Sequence, residues 1–151
     1  MNSNLNVKSL RAISRRGKSL KNKALMKEKK DEQKDRKKLE LEAKRQGELS
    51  AKKQLPYWIK EVKDAAKDGY FDYELETAVL NGGQQEHINK SSEEYLKAKA
   101  EADVARKYFI NKKIRSKLRV TRYVVDGGID MCGDHLADEY LTSFELLLDW
   151  K

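Results

Sequence analysis

The pattern of apolar and polar residues is clearest between residues 55 and 79, where it changes from a helical to an extended period. An apolar stripe at 3.6-residue spacing predicts an amphipathic helix over residues 56–68. The stripe consists of Trp58, Ile59, Val62, Ala65 and Ala66. Pro56 suits the first helical position, because its missing N–H would have no partner there. Gly69 predicts a left-handed end to the helix.

A period of two begins after Gly69 and predicts a strand over residues 70–79, with one buried face and one wet, acidic face. The buried set is Phe71, Tyr73, Leu75 and Thr77, and the wet set is Asp72, Glu74 and Glu76. A helix and a strand cannot bury both of their apolar surfaces against each other. The pattern therefore implies further strands and a second helix.

The second helix is predicted to begin where Ser91 and Glu94 stand at capping-box spacing. Apolar residues then recur at spacings of three and four as far as Phe109, and we expect the helix to run to about Lys117. Cations crowd its last turns, where they suit the negative end of a helix.

Residues 120–125 are β-branched and aromatic, which predicts a strand. The sequence of residues 129–139 indicates an acidic loop or a short helix. Residues 141–150 fit a strand by their alternation, and their apolar spacing fits a helix about as well. We favour the strand, because the strand at 70–79 needs partners.

Together these elements predict an α+β domain over residues 54–151, a small, mainly antiparallel sheet packed by two helices. The sequence of residues 1–53 indicates a basic arm that is helical or disordered. Residues 20–50 are nearly all helix formers with too few apolar members for a core stripe, so we expect them to form an exposed helix. The boundary between arm and domain is expected between Gly47 and Leu55.

Charge is distributed in four blocks along the 151 residues. Residues 1–53 carry 18 Lys/Arg against 7 Asp/Glu, and residues 54–94 carry 4 against 9. Residues 95–123 carry 10 against 2, and residues 124–151 carry 1 against 7. Such a polarised chain suits a polyanionic partner, docking between its own opposite blocks, or both.

Two basic clusters are the candidate functional residues, because lysine and arginine contact phosphates without needing a motif. The first cluster is Arg11, Arg15, Arg16, Lys18, Lys21 and Lys23. The second is Lys112, Lys113, Arg115, Lys117, Arg119 and Arg122, preceded by Lys107. Tyr108, Phe109 and Tyr123 lie among the second set and suit stacking on unpaired bases. Alternatively, these aromatics are core residues, and the acidic C-terminal block neutralises the cations.

Residues suited to catalysis or metal binding are few. Cys132 is the only cysteine, His87 and His135 are the only histidines, and a zinc site usually needs four ligands. No nucleotide-binding loop or nucleophile motif occurs. We expect no catalytic residue, no metal, no cofactor and no small-molecule substrate. The single cysteine and the absence of a secretory or membrane-spanning segment predict a cytoplasmic protein without a membrane partner.

The order of elements resembles that of small uncharacterised proteins encoded by tailed bacteriophages. The resemblance rests on Ala65-Ala66-Lys67-Asp68-Gly69 between helix and acidic strand, and on a terminal strand ending in Trp150. It covers residues 55–80 and 140–151. It implies a phage or phage-like origin and a non-enzymatic interaction role.

The preferred functional hypothesis is a non-enzymatic accessory protein whose basic arm binds RNA or DNA phosphates while the α+β domain docks a protein partner. The alternative is a phage-encoded protein-binding module, such as an inhibitor of a host factor or a virion component, that does not bind nucleic acid. A basic surface that meets an acidic protein would serve that alternative.

Overall fold

The computed structural model describes residues 7–83, 89–129 and 131–151. Within these ranges the elements follow in the order α1 (Val7–Lys67), β1 (Asp72–Asn81), α2 (Glu93–Asn111), β2 (Arg115–Val125) and β3 (Glu139–Asp149). The strands form one antiparallel sheet in the order β1-β3-β2, so the last strand is central. The predicted α+β class, with a sheet packed by two helices and a long helical N-terminal segment, is confirmed.

The chain divides into two compact units, residues 1–39 and residues 40–151, and the division falls within α1. In the first unit, the described residues 7–39 are helical and exposed throughout. The second unit contains the rest of α1, together with α2 and the sheet. The sequence placed the boundary at residues 53/54, whereas the contacts gather residues 40–53 with the sheet and α2.

The core lies between the helices and one face of the sheet. On β3, alternation buries Phe144, Leu146 and Leu148, which confirms that residues 141–150 form a strand. Leu75 of β1 pairs with Leu146 from one side, and the helices cover this face through Trp58 and Phe109, among others. The opposite face of the sheet, here called the open face, has no helix packed on it among the described elements.

Small residues bring α1 and α2 together in the second unit. Ala43, Gly47 and Ala51 recur every four residues on one side of α1, and all three are buried. A Cβ at position 47 would lie 2.5 Å from the carbonyl oxygen of Lys97 on α2. The expectation that residues 20–50 form an exposed helix was therefore wrong at Ala43 and Gly47. A stripe of small residues lets the backbones of two helices approach closely. These residues therefore become buried although they have no large apolar side chains.

Pro56 lies inside α1, so its predicted place at a helix start was wrong. A proline in a helix interior costs about 3 kcal/mol, because a hydrogen bond is lost and the ring meets the preceding turn. Ala51, before the proline, and Trp58, after it, are buried in the same core. Their packing offsets this cost. The predicted stop is confirmed: α1 ends at Lys67, and Gly69 has a φ of +90°.

Both ends of α2 differ from the prediction. Ser92 is the N-cap, and its hydroxyl accepts a hydrogen bond from the Tyr95 N–H at 3.3 Å. The helix ends at Asn111 and not near Lys117, because the chain turns at Lys113, whose φ is 63°. Strand β2 then starts at Arg115 and pairs with the end of β3.

The connection from β2 to β3 is a closed hairpin tip. Ile129 and His135 form a bridge across it, and the Leu136 N–H donates to the Gly128 carbonyl at 2.9 Å. A Cβ on Gly127 would lie 2.5 Å from the Ala137 carbonyl oxygen, so the two limbs run close together. In the described part of residues 129–139 the structure is a loop, not the short helix.

Candidate nucleic-acid interface

The acidic residues of the first unit lie on one side of α1. Glu28, Asp31, Glu32 and Asp35 are the only acids between residues 7 and 39, and they stand at i, i+3, i+4 and i+7. Residues with that spacing share one side of an α-helix. The rest of the helix circumference between these bounds is therefore free of acidic side chains.

Cations occupy the remainder of this helix. Residues 7–39 contain 14 Lys and Arg, and every one is exposed. One stripe at spacings of four and three is centred away from the acids, although the ammonium of Lys34 in this stripe lies 4.0 Å from the Asp31 carboxylate. It consists of Lys23, Lys27, Lys30, Lys34 and Lys37. Arg11, Arg15 and Lys18 form the neighbouring stripe, whereas Lys21 falls on the acidic side.

The first basic cluster predicted from the sequence ends at Lys23, and acids appear in the chain from Glu28 onward. The structure extends the basic side to Lys38, since the helix is continuous and those acids face elsewhere. The signal that would have shown this is the spacing of the four acids themselves.

The number of cations per unit length of this helix, before its four acids are subtracted, is close to the number of phosphates per unit length of one nucleic-acid strand. At 1.5 Å per residue, residues 8–38 span about 46 Å, which gives roughly one cation per 3.3 Å. Each strand of duplex DNA carries a phosphate per about 3.4 Å of helix axis.

The second predicted cluster is divided among three places. Lys112 and Lys113 occupy the turn between α2 and β2, and Arg115, Lys117 and Arg119 lie on the open face of β2. Arg122 lies on the other face, with its guanidinium 5.5 Å from the centre of the Tyr140 ring. These six residues do not form one surface.

Acidic side chains of the sheet neutralise part of this second cluster. The guanidinium of Arg119 donates to Glu145 on β3 at 2.7 Å and to Glu74 on β1 at 2.8 Å. These hydrogen bonds raise the pKa of Arg119, the one to Glu145 more than the one to Glu74. Arg115 also lies 3.8 Å from Asp149. The acidic C-terminal block thus already pairs with two of the predicted phosphate ligands.

The three aromatic residues do not form a stacking platform. Phe109 is 2% exposed, so for this residue the alternative interpretation, a core position, holds. Tyr108 packs edge-on against Phe109, with the Lys112 ammonium 5.8 Å from its ring centre. Tyr123 is exposed, but it lies near the far end of β2.

Cys132 is exposed and carries no disulfide. Among the described residues, no three His, Cys, Asp or Glu side chains are grouped closely enough to hold a metal ion. The expectation that the chain has no metal, cofactor or catalytic residue stays a prediction.

None of the described helices contains an apolar stretch long enough to cross a bilayer. Comparison with known protein families, curated proteins and solved structures gives no match.

Proposed function

We propose that this protein is a non-enzymatic accessory factor that binds nucleic acid, without sequence preference, through the basic side of α1. The observation that carries the proposal is the sorting of charge around residues 7–39, where four acids share one side and cations fill the rest. Residues 40–151 form the part that docks a protein partner.

The chemistry of this helix suits phosphates. No aromatic residue occurs between positions 7 and 39, so the helix offers no ring on which a base could stack. Its long, flexible cations contact phosphate oxygens of any sequence and release counterions as they do so. Binding of this kind is weakly specific and strongly dependent on salt.

The direct test compares two variants of the full chain with the same change in charge. The arm variant replaces Arg11, Arg15, Arg16, Lys18, Lys21 and Lys23 with Gln. The control variant replaces six exposed cations on the second-unit part of the same helix. These are Lys44, Arg45, Lys52, Lys53, Lys60 and Lys63.

Fluorescence anisotropy with a labelled 30-base-pair duplex and a single strand of equal length measures the affinities. We expect the arm variant to bind both probes at least tenfold more weakly and the control variant to stay within about threefold of wild type. Equal weakening of both variants would mean that net charge, and not the arm, governs binding. Undiminished binding by the arm variant would transfer the proposal to the cations that it keeps, first Lys27, Lys30, Lys34 and Lys37 on α1 and then Lys112, Lys113 and Lys117.

If wild type binds neither probe at low salt, the proposal of nucleic-acid binding is wrong. The protein-binding alternative, which includes a phage-encoded inhibitor or virion component, then takes its place. Its test is association of the same chain with an acidic protein partner.

A further inference from the structure

Large apolar side chains are exposed along the hairpin formed by β2, β3 and their connecting tip. Met131 is fully exposed, and Ile129 is 63% exposed. Tyr123, Val125 and Leu136 are also exposed, and alternation along β2 places Tyr123 and Val125 on the open face of the sheet. We call these five residues the tip surface. Their exposure is not a sign of an unstructured loop, because the bridge between Ile129 and His135 closes the tip.

The tip surface lies within an acidic stretch of chain. No lysine or arginine occurs from Tyr123 to Trp150, whereas Asp126, Asp134, Asp138 and Glu139 flank the apolar residues. Asp126 and Asp138 hold the tip in shape, since they accept hydrogen bonds from the N–H groups of Gly128 and Gly127. A partner for this surface should therefore bring apolar side chains surrounded by cations.

The first turns of α1 have that chemistry. Leu10, Ile13 and Leu20 are exposed, and their spacing places them on one side of the helix. Arg11, Arg15, Arg16 and Lys18 surround them, and no acid occurs before Glu28. We call residues 7–20 the basic segment. Its apolar side and its positive charge complement the tip surface and the acids beside it.

We infer that the tip surface of one molecule binds the basic segment of a second copy of this chain. Apolar contact between Leu10 or Ile13 and residues such as Ile129 or Met131 removes exposed apolar area from water on both partners. The flanking opposite charges orient the segment and make the association weaken with salt.

A contact between two different surfaces does not close on itself. Each molecule keeps one free basic segment and one free tip surface, so association continues into rings or open chains. Wild type should therefore form species larger than a dimer as its concentration rises.

Two variants distinguish this contact between unlike surfaces from a contact between two tip surfaces or between two basic segments. The segment variant carries Leu10→Ser and Ile13→Ser, and the tip variant carries Ile129→Ser and Met131→Ser. All four side chains are exposed, so neither variant disturbs the core, and no cation of the arm is changed. Leu41→Ser with Leu49→Ser removes equally exposed leucines elsewhere on α1 and is the matched control.

Sedimentation velocity on nuclease-treated protein at low salt, over a concentration series, measures assembly. We expect wild type and the control variant to associate beyond dimers, and the segment and tip variants to stay monomeric alone. An equimolar mixture of the segment and tip variants should form a one-to-one dimer, because each supplies the surface that the other lacks.

Three results would overturn the inference. A segment variant that still self-associates would show contact between tips, and a tip variant that still does so would show contact between segments. A wild-type chain that stays monomeric at every concentration would show that no such interface forms. None of these readouts depends on nucleic-acid binding, so the inference fails or holds separately from the proposed function.

Discussion

Gly47 of α1 faces Ala100 of α2 so closely that a Cβ at position 47 would lie 2.7 Å from the Ala100 Cβ. The contact draws the middle of α1 against the sheet-covering helix and makes residues 43–51 part of the second unit. It also reverses the usual effect of replacing a helical glycine with alanine, which is to stabilise the protein.

Replacing Gly47 with Ala is expected to destabilise the protein. Alanine favours helix over glycine by about 1 kcal/mol, but here its methyl would also meet the Lys97 carbonyl oxygen at 2.5 Å. Overpacking of this kind typically costs about 1–3 kcal/mol. Gly17→Ala is the control, because nothing lies within 4 Å of its added Cβ. In chemical unfolding monitored by circular dichroism, Gly17→Ala should retain or increase helicity while Gly47→Ala loses stability.

Trp58→Ala is expected to destabilise strongly, by about 3–5 kcal/mol, as truncation of a large core aromatic does. Trp58 is 5% exposed and packs in one cluster with Leu75 and Phe109. Its neighbour Tyr57 is 68% exposed, so Tyr57→Ala should cost less than about 1 kcal/mol. Equal costs for both substitutions, measured by urea unfolding, would contradict the placement of Trp58 in the core.

A fragment of residues 40–151 is expected to melt within a few degrees of the full chain, because it keeps Ala43, Gly47 and Ala51. A fragment of residues 54–151 loses that packing against α2. Its melting temperature should be lower by at least about 5 °C, the shift that roughly 1 kcal/mol causes in a domain of this size. Equal melting temperatures for the two fragments would return the folding boundary to residues 53/54.

Alkaline pH should reveal the burial of Tyr73. Burial, and secondarily the charge of Glu61, raises the pKa of Tyr73 above its usual value of 10.0. Its stabilising contribution is present below pH 10 and is lost as pH rises toward the raised pKa, because the unfolded state ionises first. The stability of Tyr73→Phe should therefore fall less steeply than that of wild type above pH 10.

The sequence predicted the elements whose burial depends on large side chains. The alternation of Phe144, Leu146 and Leu148 identified the central strand, and the stripe through Trp58 and Val62 identified the core side of α1. It did not predict the packing of Ala43, Gly47 and Ala51, because small residues give no hydrophobic signal until their partner helix is known.

Local rules also failed where tertiary contacts decided the outcome. Pro56 follows the rule for a helix start, yet packing on both sides keeps it inside α1. The end of α2 was placed too late, since the cations after Asn111 suit a helix end as well as a strand. The continuation of the basic side beyond Lys23 was not predicted, although the i, i+3, i+4 and i+7 spacing of the acids from Glu28 to Asp35 carries that signal in the sequence.

The most direct test of the central claim is the dependence of nucleic-acid affinity on salt for wild type and the six-fold arm variant. The slope of log affinity against log salt reports the number of phosphates contacted, at roughly 0.7–0.9 per contact. Removing Arg11, Arg15, Arg16, Lys18, Lys21 and Lys23 should flatten the slope, by up to about 4–5 units if all six contact phosphates. The six-fold control on the second-unit part of α1 should keep the wild-type slope. Parallel slopes for wild type and the arm variant, or no binding by wild type at low salt, would contradict the claim.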